Sequence, residues 1–222
     1  MRTTVATERL AIFDLDRTLI PGSSLVPLAR QLARRGLVDR ARLVGAVARN
    51  AAFARRGADA STAERVTADA LAAVTGMEAG VLAGCALDAA TEVVRTFRPA
   101  MRTLARHHAA RGETCVIVSA APHELVQHVA RLADFDLGIG TRVEVRDGLL
   151  TGRLDGPFCH GSGKLARLRD ELAWADLRLA TAYSDAGSDL PLLEACGFPI
   201  AVRPDRVLKA AARRGGWPTV AS

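Results

Sequence analysis

The chain has 222 residues, 49% hydrophobic and 24% charged, with a net charge of +6; such a length suits one large domain or one domain with an insertion, and such a composition excludes disorder and fibrous repeats. Six Phe, two Trp and one Tyr are too few for a base-stacking platform, so nucleic acid is not expected as a partner. Four scattered cysteines without a CxxC pair argue against a zinc site or disulfide scaffold, and no signal-peptide core or transmembrane-length apolar stretch occurs, so a cytoplasmic protein is expected.

The first apolar run, Leu10-Ala11-Ile12-Phe13, stops at Asp14-Leu15-Asp16, the pattern of a buried parallel strand whose C-terminal end presents carboxylates. From about Leu25 to Arg95 no strand-like run occurs; Ala- and Leu-rich sequence with turn signals at Gly36, Gly57 and Gly76 predicts a four-helix insertion. Between Leu25 and Gly57 eight Arg stand against one acid, Asp39, and Arg42, Arg49 and Arg56 recur every seven residues. That stripe is either a solvated helix face or an electropositive surface drawing anionic substrates inward, with acidic lipid or nucleic acid as weaker options. A helix over Pro99 to His108 leads to a strand at Thr114 to Val118, then Ser119-Ala120-Ala121-Pro122 and a helix over His123 to Leu132. Arg142 to Gly152 alternates about Asp147-Gly148, predicting a β-hairpin appended to the sheet. A helix over Lys164 to Leu172, a strand at Leu177 to Tyr183, a helix over Leu190 to Cys196 and a strand at Pro199 to Val202 complete the pattern. Strands alternating with helices predict an α/β fold with a doubly wound parallel sheet, built from residues 1–22 and 96–222 and interrupted by a helical domain at 23–95.

Ligands of such sheets bind outside the carboxyl ends of the strands, where several polar groups gather. Asp14 and Asp16 at i and i+2 can converge on one hard divalent cation such as Mg²⁺, or can be the surface acids of an ordinary turn. Asp carboxylates can also act as nucleophiles. Asp185 and Asp189, in Ser184-Asp185-Ala186-Gly187-Ser188-Asp189, form a second acidic pair, although Asp189 also reads as an N-cap before Pro191. Ser119 can offer its hydroxyl and N–H to a phosphate, or serve as a plain helix cap. Lys164 follows Gly161-Ser162-Gly163 in a chain with 28 Arg and only one other Lys, Lys209. A compact ammonium suits a crowded anionic pocket, and the spacing is not that of a P-loop. The histidines (His107, His108, His123, His128, His160) show no metal spacing; His123 reads as a surface or cap residue, Cys159 as a buried thiol, and Trp217 as a tail anchor.

In the order DxDxT, strand-Ser, GxGK and SDxxxD, these residues resemble the haloacid dehalogenase superfamily, specifically its phosphoserine-phosphatase-like branch (subfamily IB) with an all-helical C1 cap after the first motif. The resemblance covers the whole chain, since the four motifs span Asp14 to Asp189 and the helical insertion lies where that branch has its cap. It implies a Mg²⁺-dependent phosphatase acting on a small-molecule phosphate monoester through an aspartyl-phosphate. It further implies Asp14 as nucleophile, Asp16 as general acid and base, and Lys164 as the catalytic cation. Thr18, Ser119, Ala120, Lys164 and Ser188 would bind phosphate; Asp14, Asp185 and the Asp16 carbonyl would hold the metal, with Asp189 ordering its waters. A phosphotransferase, or a non-catalytic anion-binding module using the Arg-rich segment, is the alternative. Arg17 replaces a residue that is often small and is expected to alter the first loop or reach the cap. Ser184 and Ser188 depart from the usual Gly and Asn. Ser23 stands where phosphoserine enzymes carry an ammonium-binding Glu, which disfavours phosphoserine as substrate.

Overall fold

The structure, a computed structural model, describes residues 9–38 and 60–221. The Arg42, Arg49 and Arg56 stripe, Asp39, the Gly57 turn and the first eight residues therefore lie outside the described residues.

Five apolar runs of four to nine residues and a two-residue strand near the C-terminal end of the described residues form a six-stranded sheet. The strands β1 (Leu10–Phe13), β2 (Thr114–Pro122), β3 (Leu137–Thr141), β6 (Thr181–Ser184), β7 (Phe198–Val202) and β8 (Thr219–Val220) are ordered β3-β2-β1-β6-β7-β8, all parallel. The order reverses direction at β1, between β2 and β6, which is where a doubly wound sheet opens its ligand crevice. Side chains alternate across it. Ala11, Phe13, Cys115 and Ile117 face one apolar cluster, and Leu10, Ile12, Val116 and Val118 face the other.

On the first face lie α1 (Leu25–Arg34), α3 (Ala79–Arg95), α4 (Pro99–Ala110) and α5 (His123–Leu132); on the second, α6 (Ser162–Glu171), α7 (Leu190–Ala195) and α8 (Arg206–Gly215). Pro99 opens α4 with its φ already fixed. Asp205 caps α8 by accepting the Leu208 N–H at 2.7 Å, and Gly216 ends it in the left-handed region. Trp217 packs against the second cluster.

The insertion is less separate than its sequence suggests. Among the described residues it comprises α1, α2 (Ala60–Val74) and α3. Leu28 and Leu32 of α1 and Leu82, Ala86, Ala89 and Val93 of α3 share one apolar cluster with Leu125, Val126 and Val129 of α5. Three of the insertion's arginines pair with acids within it: Arg30 and Arg34 share Glu92, and Arg35 pairs with Asp88 of α3.

Two local expectations change. The run Leu177 to Tyr183 is not one strand, because Leu177–Leu179 is a 3₁₀ turn whose start is fixed by the Asp176 carboxylate accepting from the Arg178 N–H. The hairpin, β4 (Val143–Arg146) and β5 (Leu149–Leu154), follows β3 but forms its own two-stranded sheet. Asp147 and Gly148 both have positive φ (50° and 79°), as a tight two-residue hairpin turn requires. Its free edge is taken up by the link between α2 and α3. Gly76 N–H donates to the Leu150 carbonyl at 2.8 Å, Leu150 N–H to the Met77 carbonyl at 2.9 Å, and Ala79 N–H to the Gly148 carbonyl at 2.9 Å.

Candidate active site

Of the three central strands, β1 runs into Asp14 and β6 into Ser184-Asp185, while β2 carries Ser119 inside the strand, shortly before its end at Pro122. Asp14 directly follows β1, and its N–H extends the ladder by donating to the Tyr183 carbonyl at 3.0 Å. The chain then curls on itself: Leu19 and Ile20 N–H groups both reach the Leu15 carbonyl, and Arg17 N–H reaches the Gly22 carbonyl at 3.1 Å. That curl brings Thr18 back onto Asp14, with its hydroxyl 2.9 Å from Asp14 Oδ2 and 3.4 Å from Asp185 Oδ1.

Lys164 arrives from the start of α6. Gly161 adopts a φ of 57°, and a side chain on Gly163 would meet the Phe158 carbonyl oxygen at 1.8 Å, so this tight entry into the helix excludes a Cβ there. Lys164 Nζ is buried, 2.6 Å from Asp14 Oδ1 and 2.7 Å from Asp189 Oδ2. Asp189 occupies the N-cap position of α7 without capping it. Its Oδ2 instead accepts from Lys164 and from the Ser184 hydroxyl at 2.6 Å, and its Oδ1 is buried without a hydrogen-bond partner. Asp14, Thr18, Lys164, Ser184, Asp185 and Asp189 thus form one connected network.

Asp16 points elsewhere. Its Oδ1 accepts the Ser24 N–H at 2.8 Å and its Oδ2 the Ser23 hydroxyl at 3.3 Å, so it is held at the root of the helical insertion. Ser119 lies within β2 rather than capping α5, and its hydroxyl oxygen accepts the Ala121 N–H at 3.2 Å. Ala120 accepts the Thr141 hydroxyl at 2.8 Å. Ser188 sits in the 3₁₀ turn Gly187–Asp189. His123 is neither a surface nor a side-chain-capping residue. It is buried with Nδ1 accepting the Gly140 N–H at 3.2 Å, and burial with the nearby Arg142 and Arg167 lowers it to about 4. The four cysteines are free and buried.

Sequence reading missed the residues that brace this network. Arg17 meets the second acidic loop: its Nε lies 3.0 Å from Asp185 Oδ2. Asp205 ties the second acidic loop to α8, since its Oδ2 accepts the Gly187 N–H at 2.9 Å and its N–H donates to the Asp185 carbonyl at 2.8 Å. Asp205 was findable as a cap ahead of a periodic helix; the Arg17 contact depends on the tertiary fold and left no local signal.

Electrostatically the site is short of positive charge. Burial raises Asp14 to about 6 against the pull of Lys164, and raises Asp185 to about 7, helped by repulsion from Asp14 and opposed by Arg17. Burial also raises Asp16, against its bonds from Ser24 and Ser23. Burial works against the Lys164 charge, yet Asp14 and Asp189 outweigh it and hold the ammonium above its ordinary value. The one proton of the Thr18 hydroxyl can satisfy only one of the two carboxylates it faces. This hard-oxygen, under-neutralised donor set fits a divalent cation of Mg²⁺ type. Among the described residues no three His, Cys, Asp or Glu side chains converge as a complete cage, so such a cation would also need backbone oxygen and water.

The family model for haloacid dehalogenase-like hydrolases matches residues 11–194. A phosphoserine phosphatase of Mycobacterium tuberculosis is 33% identical over 211 residues, spanning 93% of this chain and 68% of that protein. A histidinol-phosphatase of Neisseria meningitidis is 31% identical over 225 residues, spanning 96% of this chain and 98% of that protein. Among solved structures, a protein of unknown function from Bordetella pertussis shares 31% identity with a TM-score of 0.82, covering 97% of this chain and 99% of that one. A phosphoserine phosphatase bearing a phospho-aspartyl intermediate analogue has the same fold, with a TM-score of 0.61 at 16% identity over 92% of this chain and 90% of that one.

Proposed function

This chain belongs to the haloacid dehalogenase-like hydrolases, and we propose that it is a Mg²⁺-dependent phosphatase that hydrolyses a small-molecule phosphate monoester through an aspartyl-phosphate. The observation that carries this reading is the division of labour between Asp14 and Asp16. Two residues apart, they face different partners: Asp14 a buried ammonium, Asp16 the Ser23-Ser24 turn at the edge of the insertion. A nucleophile should sit beside cations that neutralise the transferring group, and a proton shuttle should be poised at the leaving-group side with a raised pKa.

In the first half-reaction an Asp14 carboxylate oxygen attacks phosphorus, the ester P–O bond breaks, and protonated Asp16 gives its proton to the leaving alkoxide. In the second, Asp16 takes a proton from water, the resulting hydroxide attacks the phosphoryl group, and inorganic phosphate departs from a restored Asp14. Lys164 offsets the phosphoryl charge. Ser119, the Ala120 N–H, Thr18 and Ser188 are the remaining phosphate contacts in this reading. Asp14, Asp185 and the Asp16 carbonyl would hold Mg²⁺, which would supply charge neutralisation of the phosphoryl oxygens; the buried Asp189 Oδ1, which has no hydrogen-bond partner, would accept from its waters. The neutral Ser23 at the insertion's root supports a substrate other than phosphoserine. Four buried thiols, all free, suit a reducing cytoplasm, and no helix among the described residues is long and apolar enough to cross a membrane.

The test is phosphate release from a panel of monoesters, with and without Mg²⁺, in wild type and Asp14→Asn. Metal-dependent turnover that falls at least ~10³-fold in the variant supports the reading. Turnover that survives the substitution, or transfer to an added alcohol in place of water, overturns it.

A further inference from the structure

Arg17 occupies the middle of the first motif in a conformation that side chains rarely adopt. Its φ is 65°, in the left-handed region where a non-glycine residue is uncommon, and its N–H is pinned to the Gly22 carbonyl. The turn aims the side chain across to the loop after β6, where Nε meets Asp185 Oδ2 at 3.0 Å. Asp185 Oδ1 faces the Thr18 hydroxyl at 3.4 Å. Both oxygens of the Asp185 carboxylate are therefore engaged, one of them by a full positive charge. The carboxylate is buried, whereas the Arg17 side chain retains 35% exposure.

We propose that Arg17 is a built-in counter-cation for Asp185, which a divalent cation must displace or tolerate, and that Arg17 thereby sets the strength of metal binding at the Asp14–Asp185 pair. The proposal rests on the metal-site reading above. A dication placed on Asp185 repels the guanidinium at close range in a site of reduced dielectric, and releasing Arg17 gives up a charge-assisted hydrogen bond. Both costs weaken binding. The same contact keeps Asp185 compensated in the metal-free protein, so the loop after β6 holds its shape before the cation arrives.

Calorimetric titration of the substrate-free full chain with Mg²⁺ tests this without any turnover. Arg17→Gln removes the charge at similar size, Arg17→Gly suits the positive φ and guards against misfolding of the first variant, and Asp185→Asn is the control. The neutral variants should bind Mg²⁺ roughly 10- to 100-fold more tightly than wild type, and Arg17→Lys, which keeps the charge, should stay near wild type. Equal or weaker binding in both neutral variants, with binding lost in Asp185→Asn, overturns the role of Arg17 and leaves the metal site standing. If neither wild type nor any Arg17 variant binds Mg²⁺, the metal-site reading fails and this inference with it.

Discussion

Replacing Lys164 with Met removes the charge that joins Asp14 to Asp189 while keeping the length and apolar stem of the side chain. The ammonium lies 2.6 and 2.7 Å from the two carboxylates and is almost fully buried. At an effective dielectric of ~20 each attraction is about 6 kcal/mol, offset by desolvation of all three ions and by repulsion between the carboxylates. Breaking a buried pair on one side costs about 3–5 kcal/mol, which for a chain this long lowers Tm by roughly 6–20 °C. The loss should depend on pH in a definite direction. Asp14 already sits near 6, and without Lys164 it rises further, so the folded variant keeps a proton that the unfolded chain releases near 3.8. Stability of the variant therefore climbs as pH falls from 7 toward 4, more steeply than in wild type. Urea unfolding followed by circular dichroism at pH 7 and pH 5 measures both numbers. A loss under about 1 kcal/mol at pH 7, or one of the same size at both pH values, would refute the picture of Lys164 as the sole cement between two buried acids.

Gly163→Ala would bring a methyl group against the Phe158 carbonyl; a loss of ~2–3 kcal/mol with lowered kcat, read by thermal melts and phosphate release, is expected, and an unchanged Tm would refute the steric argument. Asp185 at about 7 and Asp14 at about 6 should make the metal-free protein lose stability as pH rises from 4 to 7, because the unfolded chain sheds these protons first. Melts in EDTA should show that slope flattened in Asp185→Asn by on the order of a few kcal/mol across the range, and parallel profiles would count against it.

What the sequence made readable was the chemistry at the strand ends. Asp14 and Asp185 each lie just past an apolar run, and the strand–helix alternation was enough to predict a parallel sheet. The strand β3 was not readable, because in Leu137-Gly138-Ile139-Gly140 every second residue is a glycine, a poor strand former. Its glycines serve packing instead: a Cβ at Gly138 or Gly140 would come within 2.5 to 2.7 Å of the α5 backbone and the end of β2. Leu177-Arg178-Leu179 misled for the opposite reason, since its alternation mimics a strand while Asp176 turns the backbone into a 3₁₀ bend. Asp189 illustrates a true ambiguity: the cap position and the Lys164 contact are both correct for the residue, and only the tertiary approach of α6 decides where its side chain goes.

The hairpin's hold on residues 76–79 has a mechanical consequence. A flap joined to its base by two chain crossings can swing about the line between them, but a third fastening away from that line removes the swing. Here the hairpin is that fastening, and α3 is already seated in the apolar cluster it shares with α5. α1 is seated in that cluster too, through Leu28 and Leu32, and it begins next to the Ser23-Ser24 turn that holds Asp16. A shift of α1 would pull on the Ser23-Ser24 turn, so the seating of the insertion and the alignment of the Asp16 carboxylate are governed by the same few residues.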